Sequence, residues 1–260
     1  MHALRYGRSQ TVREHNDRIT GAAHPFPRRR PSVTDEMRGD QMTDGIDRRS
    51  VATRHQIIGS AAKHFADKPY SLVSLDEILT DAAVTKGAMY FHFRSKHALG
   101  TAIIERWVEM SLGAVADVVA RQHSAVETLV DVTFLIALDD IGEPLARAGF
   151  NLLESIGRGE EIQRRVINTW VSAFRVIVER AQAEGDIATG HAPEQVAKLL
   201  VAFYLGVRRV TDLGDRSRYL TDLEQAWALV LPGVVKPERV GYLTTFIRRR
   251  TALAVNRATP

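Results

Sequence analysis

The sequence predicts an all-α protein in which a small three-helix unit precedes a larger helical domain. From residue 50 onward, apolar residues recur at the three- and four-residue spacing of one helix face. No stretch shows the strict alternation of apolar and polar residues that a half-buried strand requires. Capping residues and Gly or Pro breaks divide this pattern into separate helices. With 260 residues, 45% of them apolar, the chain is long enough to bury a core.

Two absences in the sequence limit the classes of function. The sequence contains no cysteine, which excludes disulfide bonds, thiolate metal sites and thiol nucleophiles. No apolar run approaches the roughly 18 residues that a membrane-spanning helix needs, and the Arg-rich start lacks the apolar stretch of a signal peptide. We therefore predict a cytoplasmic protein without a membrane partner.

Positive charge is concentrated near the N-terminus. Residues 1–50 carry a net charge of +3, residues 51–100 carry +2, and residues 101–260 carry −1. A polyanion would therefore meet the first part of the chain. Residues 1–47 have no sustained apolar period, and three of their prolines surround a run of three arginines. We predict that 1–47 form a disordered basic N-terminal extension.

Residues 48–94 are predicted to form a helix-turn-helix unit. The first helix spans about 50–67 and the third spans about 85–92. Between them, Ser74 and Glu77 have the spacing of a capping box and begin a short second helix that stops near Asp81. The short connection after Asp81 gives the arrangement of a helix-turn-helix. The first helix is predicted from apolar residues at helical spacing, which are Val51, Ile57, Ile58, Ala61, Ala62 and Phe65.

The third helix has a composition that favours contact with DNA. Gly87 follows Thr85 and Lys86 at its start, although glycine costs a helix about 1 kcal/mol relative to alanine. The free N–H groups of a helix N-terminus attract phosphate, a hydroxyl adds a donor, and a glycine lets a DNA backbone approach. Lys86 would reach base edges in the major groove. The residues predicted to face DNA are Thr85, Lys86, Gly87, Tyr90, His92 and Lys96.

The same helix also needs an inward face. We predict that Phe91 and Phe93 are core residues and that Met89 packs near them. Structural roles stay open for two of the DNA-facing candidates, because Tyr90 could join the core and Lys96 could be a solvated charge at the start of the next helix.

Residues 95–257 are assigned to one larger domain. Ser95 is a good N-cap for a long helix, and Gly- and Pro-containing breaks such as Pro232-Gly233 separate the helices that follow. The predicted helices lie at about 95–121, 124–139, 143–156, 160–184, 193–213, 217–231 and 236–257.

An enzyme is not predicted. Apart from the missing thiol, the sequence has no glycine-rich phosphate loop in a strand context and no His pair at helical metal spacing, so neither a cofactor nor a metal is expected. Asp139 and Asp140 are the only adjacent carboxylates considered for a site. They fall at a helix end, where a solvated or capping role is predicted.

Four segments carry a resemblance to a known family. The stretch SLDEILTDAAVTKGAMYFHFRSK, from Ser74 to Lys96, resembles the DNA-binding signature of the TetR family of bacterial transcriptional repressors. In the larger domain, GEPLARAGFNLLES (142–155), INTWVSAF (167–174) and VLPGVVKPERVGYLTTFIRRR (230–250) resemble the γ-butyrolactone receptors of streptomycetes. The resemblance extends from about Arg48 to Asn256.

The resemblance implies a homodimer that binds a palindromic operator and is released by a small signalling molecule, which controls secondary metabolism such as antibiotic production. The six DNA-facing candidates match operator-contact positions of the family, and Trp170 matches the tryptophan that lines the butyrolactone pocket. Trp170 could also be a plain core residue. Further ligand-binding candidates, chosen by helix position, are Phe134, Phe150, Phe174 and Tyr204.

Two alternatives remain open at this point. The broad apolar faces of the helices at about 193–213 and 236–250 would be buried by a two-fold partner, or by packing within one chain. The effector could be a γ-butyrolactone or furan, or a different hydrophobic molecule, as in a pseudo-receptor or a drug or antibiotic sensor.

Overall fold

The computed structural model describes residues 33–159 and 161–258, with side chains described from Arg48 onward. This part of the chain contains ten α-helices and no β-strand, which confirms the all-α prediction, and one isolated antiparallel bridge pairs Ile187 with Val235. The helices are α1 (Val33–Asp67), α2 (Leu75–Asp81), α3 (Lys86–His92), α4 (Lys96–Val119), α5 (Ala125–Gly142), α6 (Pro144–Ser155), α7 (Ile162–Ala183), α8 (Pro193–Val210), α9 (Arg216–Val234) and α10 (Pro237–Ala258).

Most helix ends lie within a few residues of the predicted ones, and α1 is the main exception. It begins at Val33, whereas the sequence predicts disorder through residue 47 and a helix from about 50. The prediction relied on an apolar stripe along the helix. Such a stripe indicates that a helix packs against a neighbour, but a helix can also form without a neighbour. The rest of the predicted extension, residues 1–32, lies outside the described residues.

Helix α9 also ends later than expected. Pro232 lies inside it, and the helix continues to Val234. The predicted break at Pro232-Gly233 is therefore displaced to the short connection before Pro237. Proline has no N–H, so Pro232 removes one backbone hydrogen bond from this last turn without ending the helix.

Side-chain caps set the starts of the helices in the N-terminal part. The Ser74 N–H donates to Glu77 Oε2 (3.1 Å), and the Asp76 N–H donates to Ser74 Oγ (3.2 Å). The turn between α2 and α3 passes through Ala83, whose φ of 51° is left-handed. These local features produce the helix-turn-helix geometry that the spacing predicts.

The described buried residues form two apolar clusters. One joins α1, α2 and α3 to the first half of α4, to α6 and to the start of α7. The other joins the end of α4 to α5, α7, α8, α9 and α10. Trp170 and Leu205 pack against both clusters. The predicted boundary between residues 94 and 95 thus lies inside the first cluster, and the described residues from Asp47 onward belong to one compact unit.

Helices α4 and α6 are in close contact where Gly149 meets the ring of Trp107. A Cβ atom added to Gly149 would lie 2.6 Å from Cγ and Cδ2 of that ring, which is far inside van der Waals contact. Both residues are buried. Only glycine therefore permits this approach of the two helices. None of the helices in the described part of the chain is long and apolar enough to cross a membrane.

Replacing Gly149 with alanine should destabilise the fold by about 1–3 kcal/mol, because overpacking a buried helix contact forces a shift of Trp107 or of α6. Gly113→Ala on α4 is the matched control. Nothing lies within 4 Å of the Cβ that it adds, so it should stabilise the helix by about 0.5–1 kcal/mol. Urea unfolding at one fixed protein concentration measures both changes. Equal effects of the two substitutions would contradict the importance of this contact.

Candidate nucleic-acid interface and ligand cavity

Helix α3 presents one buried face and one exposed face. Met89 is fully buried, and Phe93, four residues later, is nearly so. Lys86, Gly87 and Tyr90 are exposed. This division agrees with helical geometry, since residues four apart share a face.

Thr85 and Gly87 shape the start of this helix. Thr85 is the N-cap, and its Oγ1 accepts the Ala88 N–H at 3.2 Å. A Cβ on Gly87 would meet nothing nearer than Thr85 Oγ1 at 3.9 Å, so packing within the chain does not require glycine at this position. The position is exposed. A glycine is instead useful where another molecule approaches the backbone.

The prediction that Phe91 belongs to the core is wrong. Its side chain is 79% exposed, and its ring contacts only the edge of the His92 ring among the aromatic pairs of this helix (centroids 5.1 Å apart). Residues two positions apart lie on nearly opposite sides of a helix, so Phe91 cannot share the face of Met89 and Phe93. The four-residue spacing of Met89 and Phe93 was the signal that could have placed Phe91 on the exposed face with Tyr90.

Lys96 and His92 are only partly exposed. The Lys96 ammonium lies 4.4 Å from the centroid of the Tyr70 ring, and burial lowers the pKa of this lysine. The structure thus places Lys96 beside an aromatic ring at the start of α4, one turn beyond α3. The exposed face of α3 itself carries Lys86.

A cavity of about 30 Å³ lies among α4, α5, α6, α7 and α8. The space between the lining atoms, open solvent included, amounts to about 430 Å³. The Trp170 ring meets the Trp107 ring edge-to-face, with centroids 4.9 Å apart. Apolar and aromatic side chains dominate the wall, which consists of Trp107, Ser111, Ile136, Asp140, Phe150, Trp170, Phe174, Val201, Tyr204 and Leu205.

The structure brings four of the five ligand-binding candidates together and leaves one out. Trp170, Phe150, Phe174 and Tyr204 all line the cavity. Phe134 instead lines a second cavity, together with Asp131 and Arg250. Placement by helix position failed here because six consecutive residues of α5, 129–134, are buried and wind around the helix, so burial does not indicate which neighbour each one contacts.

The prediction that Asp139 and Asp140 are solvated or capping residues is wrong for Asp140, which is 1% exposed. The Asp140 Oδ2 atom lies 3.1 Å from Arg208 Nε and accepts the Tyr204 hydroxyl at 2.6 Å. Tyr219 donates to the same oxygen at 3.4 Å. Arg208 and Tyr219 come from α8 and α9, and no local pattern in the sequence could have brought them to Asp140.

Two buried polar atoms of the cavity residues have no hydrogen-bond partner in the described structure. They are Nε1 of Trp170, a donor, and Oδ1 of Asp140. Burial raises the pKa of Asp140, and the charge of Arg208 opposes this effect. Burial also raises the pKa of Tyr204 well above its ordinary value, so its hydroxyl stays protonated. Among the described residues, no cluster of His, Asp or Glu could hold a metal ion.

Direct contacts connect the cavity wall with the helix-turn-helix. Phe150 of the wall lies on α6, and Asn151 beside it donates through Nδ2 to the carbonyl oxygens of Phe65 and Ala66 at 3.1 Å each. These carbonyls belong to the end of α1. Trp107 of the wall lies on α4, which begins four residues after α3 ends. A change in the cavity can therefore act on both ends of the helix-turn-helix.

Comparison with known proteins assigns a class to this arrangement. The family model described as "Bacterial regulatory proteins, tetR family" matches residues 57–103. The A-factor receptor protein of Streptomyces griseus is 29% identical over 200 residues, which cover 75% of this chain and 68% of that protein.

Two solved structures extend the similarity to the whole fold. A crystal structure of a gamma-butyrolactone receptor, an ArpA-like protein, has a TM-score of 0.66 and 29% identity, covering 78% of this chain and 98% of that one. The TetR family protein CprB from Streptomyces coelicolor, in complex with its biological operator sequence, has a TM-score of 0.65 and 30% identity. That similarity covers 77% of this chain and 97% of CprB.

The carboxyl group of Asp139 should make stability depend on pH. Burial and the nearby charges of Glu143 and Asp140 raise its pKa from 3.8 to about 6. A raised pKa in the folded state means that the protonated form favours folding. This contribution is complete below about pH 4 and is lost as the pH rises through 6. Asp139→Asn should therefore be more stable than the unmodified chain at pH 7.5, with the difference shrinking toward pH 4.5.

Urea midpoints at the two pH values measure this difference. Asp117→Asn, which replaces an exposed acid on α4, is the matched control. A stability gain of Asp139→Asn that is the same at both pH values would contradict the assignment.

Proposed function

This chain belongs to the TetR family of bacterial regulatory proteins, and on that premise we propose that it is a ligand-responsive transcriptional repressor. In this proposal a homodimer binds a palindromic operator in the cytoplasm and leaves it when a γ-butyrolactone or furan occupies the cavity. The genes under its control would serve secondary metabolism, including antibiotic production, in response to a quorum signal.

The observation that carries the proposal is the aromatic cavity with an unpartnered indole N–H. A buried donor without an acceptor is unfavourable by about 1–3 kcal/mol, so a ligand that supplies an acceptor gains this energy on binding. Trp170 lines the cavity and its Nε1 is such a donor. A lactone carbonyl or a furan oxygen is a suitable acceptor on an otherwise apolar molecule.

The exposed start of α3 supports the role of operator contact. Lys86 and Gly87 are exposed directly after the Thr85 cap, where free N–H groups and the helix dipole favour phosphate. Tyr90 and Phe91 add exposed aromatic surface beside them. A Phe ring can contact thymine methyl groups, so Phe91 joins the six candidates predicted from the sequence.

The homodimer is proposed to form through α8, α9 and α10. Packing within one chain already buries part of the apolar faces of these helices, including Val196, Leu200, Leu243 and Ile247. Other apolar side chains of the same helices stay exposed, and a two-fold partner would cover them. They are Leu199, Val210, Leu229, Tyr242 and Leu253.

The proposed mechanism is a population shift. Ligand that contacts Trp107 and Phe150 would favour an arrangement of α4 and α6 in which the two recognition helices no longer match the spacing of the operator half-sites. A hundredfold loss of operator affinity needs only about 2.7 kcal/mol of differential ligand binding between the two arrangements. A few altered contacts at Asn151 and Trp107 are of this order.

Fluorescence anisotropy of the purified chain on its own upstream DNA, at fixed salt, tests the proposal with a panel of γ-butyrolactones and furans. We expect tight, salt-sensitive binding that one of these compounds releases. Trp170→Phe should bind the operator equally well but need about tenfold more compound for release, because it lacks the indole N–H. Trp227→Phe is the matched control, since the Trp227 indole already donates to Thr133 Oγ1 at 3.0 Å.

Each other result of this experiment has a definite meaning. If the chain binds its operator and no lactone or furan releases it, the proposed effector class is wrong and a different hydrophobic molecule takes its place. Absence of specific binding would contradict the repressor function itself. Unchanged release from Trp170→Phe would remove Trp170 from the ligand site.

Replacing Lys86 with alanine should weaken operator binding at least about tenfold, because each dimer loses two positive contacts worth about 1–3 kcal/mol apiece. Folding, dimerisation and lactone affinity should not change. Arg164→Ala removes an exposed positive charge on α7 and is the matched control. Anisotropy titrations at two salt concentrations measure the effect. Normal operator affinity of Lys86→Ala, or its failure to fold, would contradict the assignment of this residue to the DNA-binding surface.

A further inference from the structure

We propose that the second cavity, which lies between the end of α4, α5 and α10, is a separate ligand site for a small organic carboxylate. Its wall combines arginine side chains with an apolar surface. None of its lining residues belongs to the aromatic cavity among α4 to α8. The site therefore goes beyond the proposed function, and its test needs no DNA.

The size and the apolar part of the second cavity suit a small organic molecule. Its volume is about 120 Å³. A protein cavity of about 150 Å³ holds one benzene molecule, so a single small ring or a short branched chain fits a space of this order. Val118 and Phe134 of the wall are buried, and Leu135 and Leu138 add further apolar surface. An occupant with an apolar body displaces water from this surface favourably.

The charged residues of the wall are three arginines and one aspartate, which are Arg121, Arg250, Arg257 and Asp131. The aspartate is already bonded. Arg250 Nη2 donates to Asp131 Oδ2 at 2.8 Å, and Arg250 Nε lies 2.6 Å from Oδ1. His123 Nδ1 lies 3.3 Å from Asp131 Oδ2. Because Arg250 balances the charge of Asp131, the wall retains two positive charges.

These two charges belong to Arg121 and Arg257. Both residues are exposed, and neither has an ion-pair partner among the described residues, although Asp117 precedes Arg121 by one helical turn. They come from the end of α4 and from the last turn of α10, yet they line one cavity. A guanidinium presents parallel N–H donors that match the two oxygens of a carboxylate. A carboxylate thus supplies the negative charge that this wall lacks.

Other anions fit the second cavity less well. Helix α4 has 24 residues and is therefore roughly 36 Å long. It begins at Lys96, beside the recognition helix, so Arg121 lies at the end far from the DNA-facing residues and does not serve the operator. Inorganic phosphate supplies charge but leaves the apolar part of the wall uncovered. An organic carboxylate complements both parts of the wall.

Calorimetric titration of the full chain at fixed ionic strength tests the site with three probes. Benzoate carries a carboxylate on an apolar ring, benzamide is its neutral isostere, and acetate lacks the ring. We expect benzoate to bind at one site per chain, at least about tenfold more tightly than either of the others, because it alone meets both parts of the wall. The proposed dimer would cover Leu253 of this wall, so the chain is used in its native oligomeric state.

The decisive variant is Arg121→Gln/Arg257→Gln, which removes both charges without an ion-pair partner. Benzoate affinity should fall at least about tenfold, whereas benzamide affinity should stay within about threefold. Arg248→Gln removes an exposed arginine of α10 outside the cavity and is the matched control. Trp170→Phe alters the aromatic cavity instead. Both of these variants should keep the affinity for benzoate. Arg257→Gln alone serves if the double variant fails to fold.

Each contrary result overturns the site. Equal affinity for benzoate and benzamide does so, as does benzoate binding that survives in the folded arginine variants. An equal loss of binding in Arg248→Gln would show general charge attraction, and a loss in Trp170→Phe would place benzoate in the aromatic cavity. Absence of saturable benzoate binding also overturns the inference. Because no titration contains DNA, all of these results leave the proposed repressor function standing.

Discussion

The indole ring of Trp107 takes part in two structures at once. It lies in the apolar cluster that joins α1, α2 and α3 to α4 and α6, and it forms part of the cavity wall. It packs against α6 at Gly149, and its edge-to-face contact with Trp170 reaches α7. The position of α4 relative to α6 therefore depends on this ring, and so do the cavity beside it and the helices that α4 and α6 support.

This arrangement explains how a small ligand could act on a distant surface without a large motion. Close-packed interiors transmit a shift of a large side chain, because neighbouring atoms have no free volume in which to absorb it. A ligand against Trp107 or Phe150 meets α4 and α6 directly, and Asn151 carries a shift of α6 to the end of α1 through two hydrogen bonds. In the dimer proposed above, a small rotation of each subunit's α4 would change the spacing of the two recognition helices, on which dimeric readers depend.

The sequence predicted those features that depend on local chemistry. Caps such as Ser74 and Thr85 lie within four residues of the groups they bond, so their patterns identify the starts of α2 and α3. The features that it failed to predict depend on contacts between distant residues. Asp140 is surrounded by Arg208 and Tyr219, which come from other helices. Phe134 lies in a stretch of α5 that is buried all round, so its cavity depends on which helix packs against each side of α5. Phe91 is different, because a local pattern could have predicted its exposure. Met89 and Phe93 are four residues apart and share a face, so Phe91 between them lies on the other side of the helix.

The ion pair between Asp140 and Arg208 is difficult to explain by stability alone. Desolvation of two buried charges offsets most of their attraction, and well-packed apolar residues of similar volume often give equal or greater stability. A purely structural pair would also be expected to satisfy all of its polar atoms, yet Oδ1 of Asp140 has no partner in the described structure. Asp140 of this pair lines the cavity, and among the lining residues the other buried polar atom without a partner in the described structure is Nε1 of Trp170. The donor lies on α7 and the acceptor on α5, so the two atoms without partners belong to separate helices, and stability within the chain explains neither.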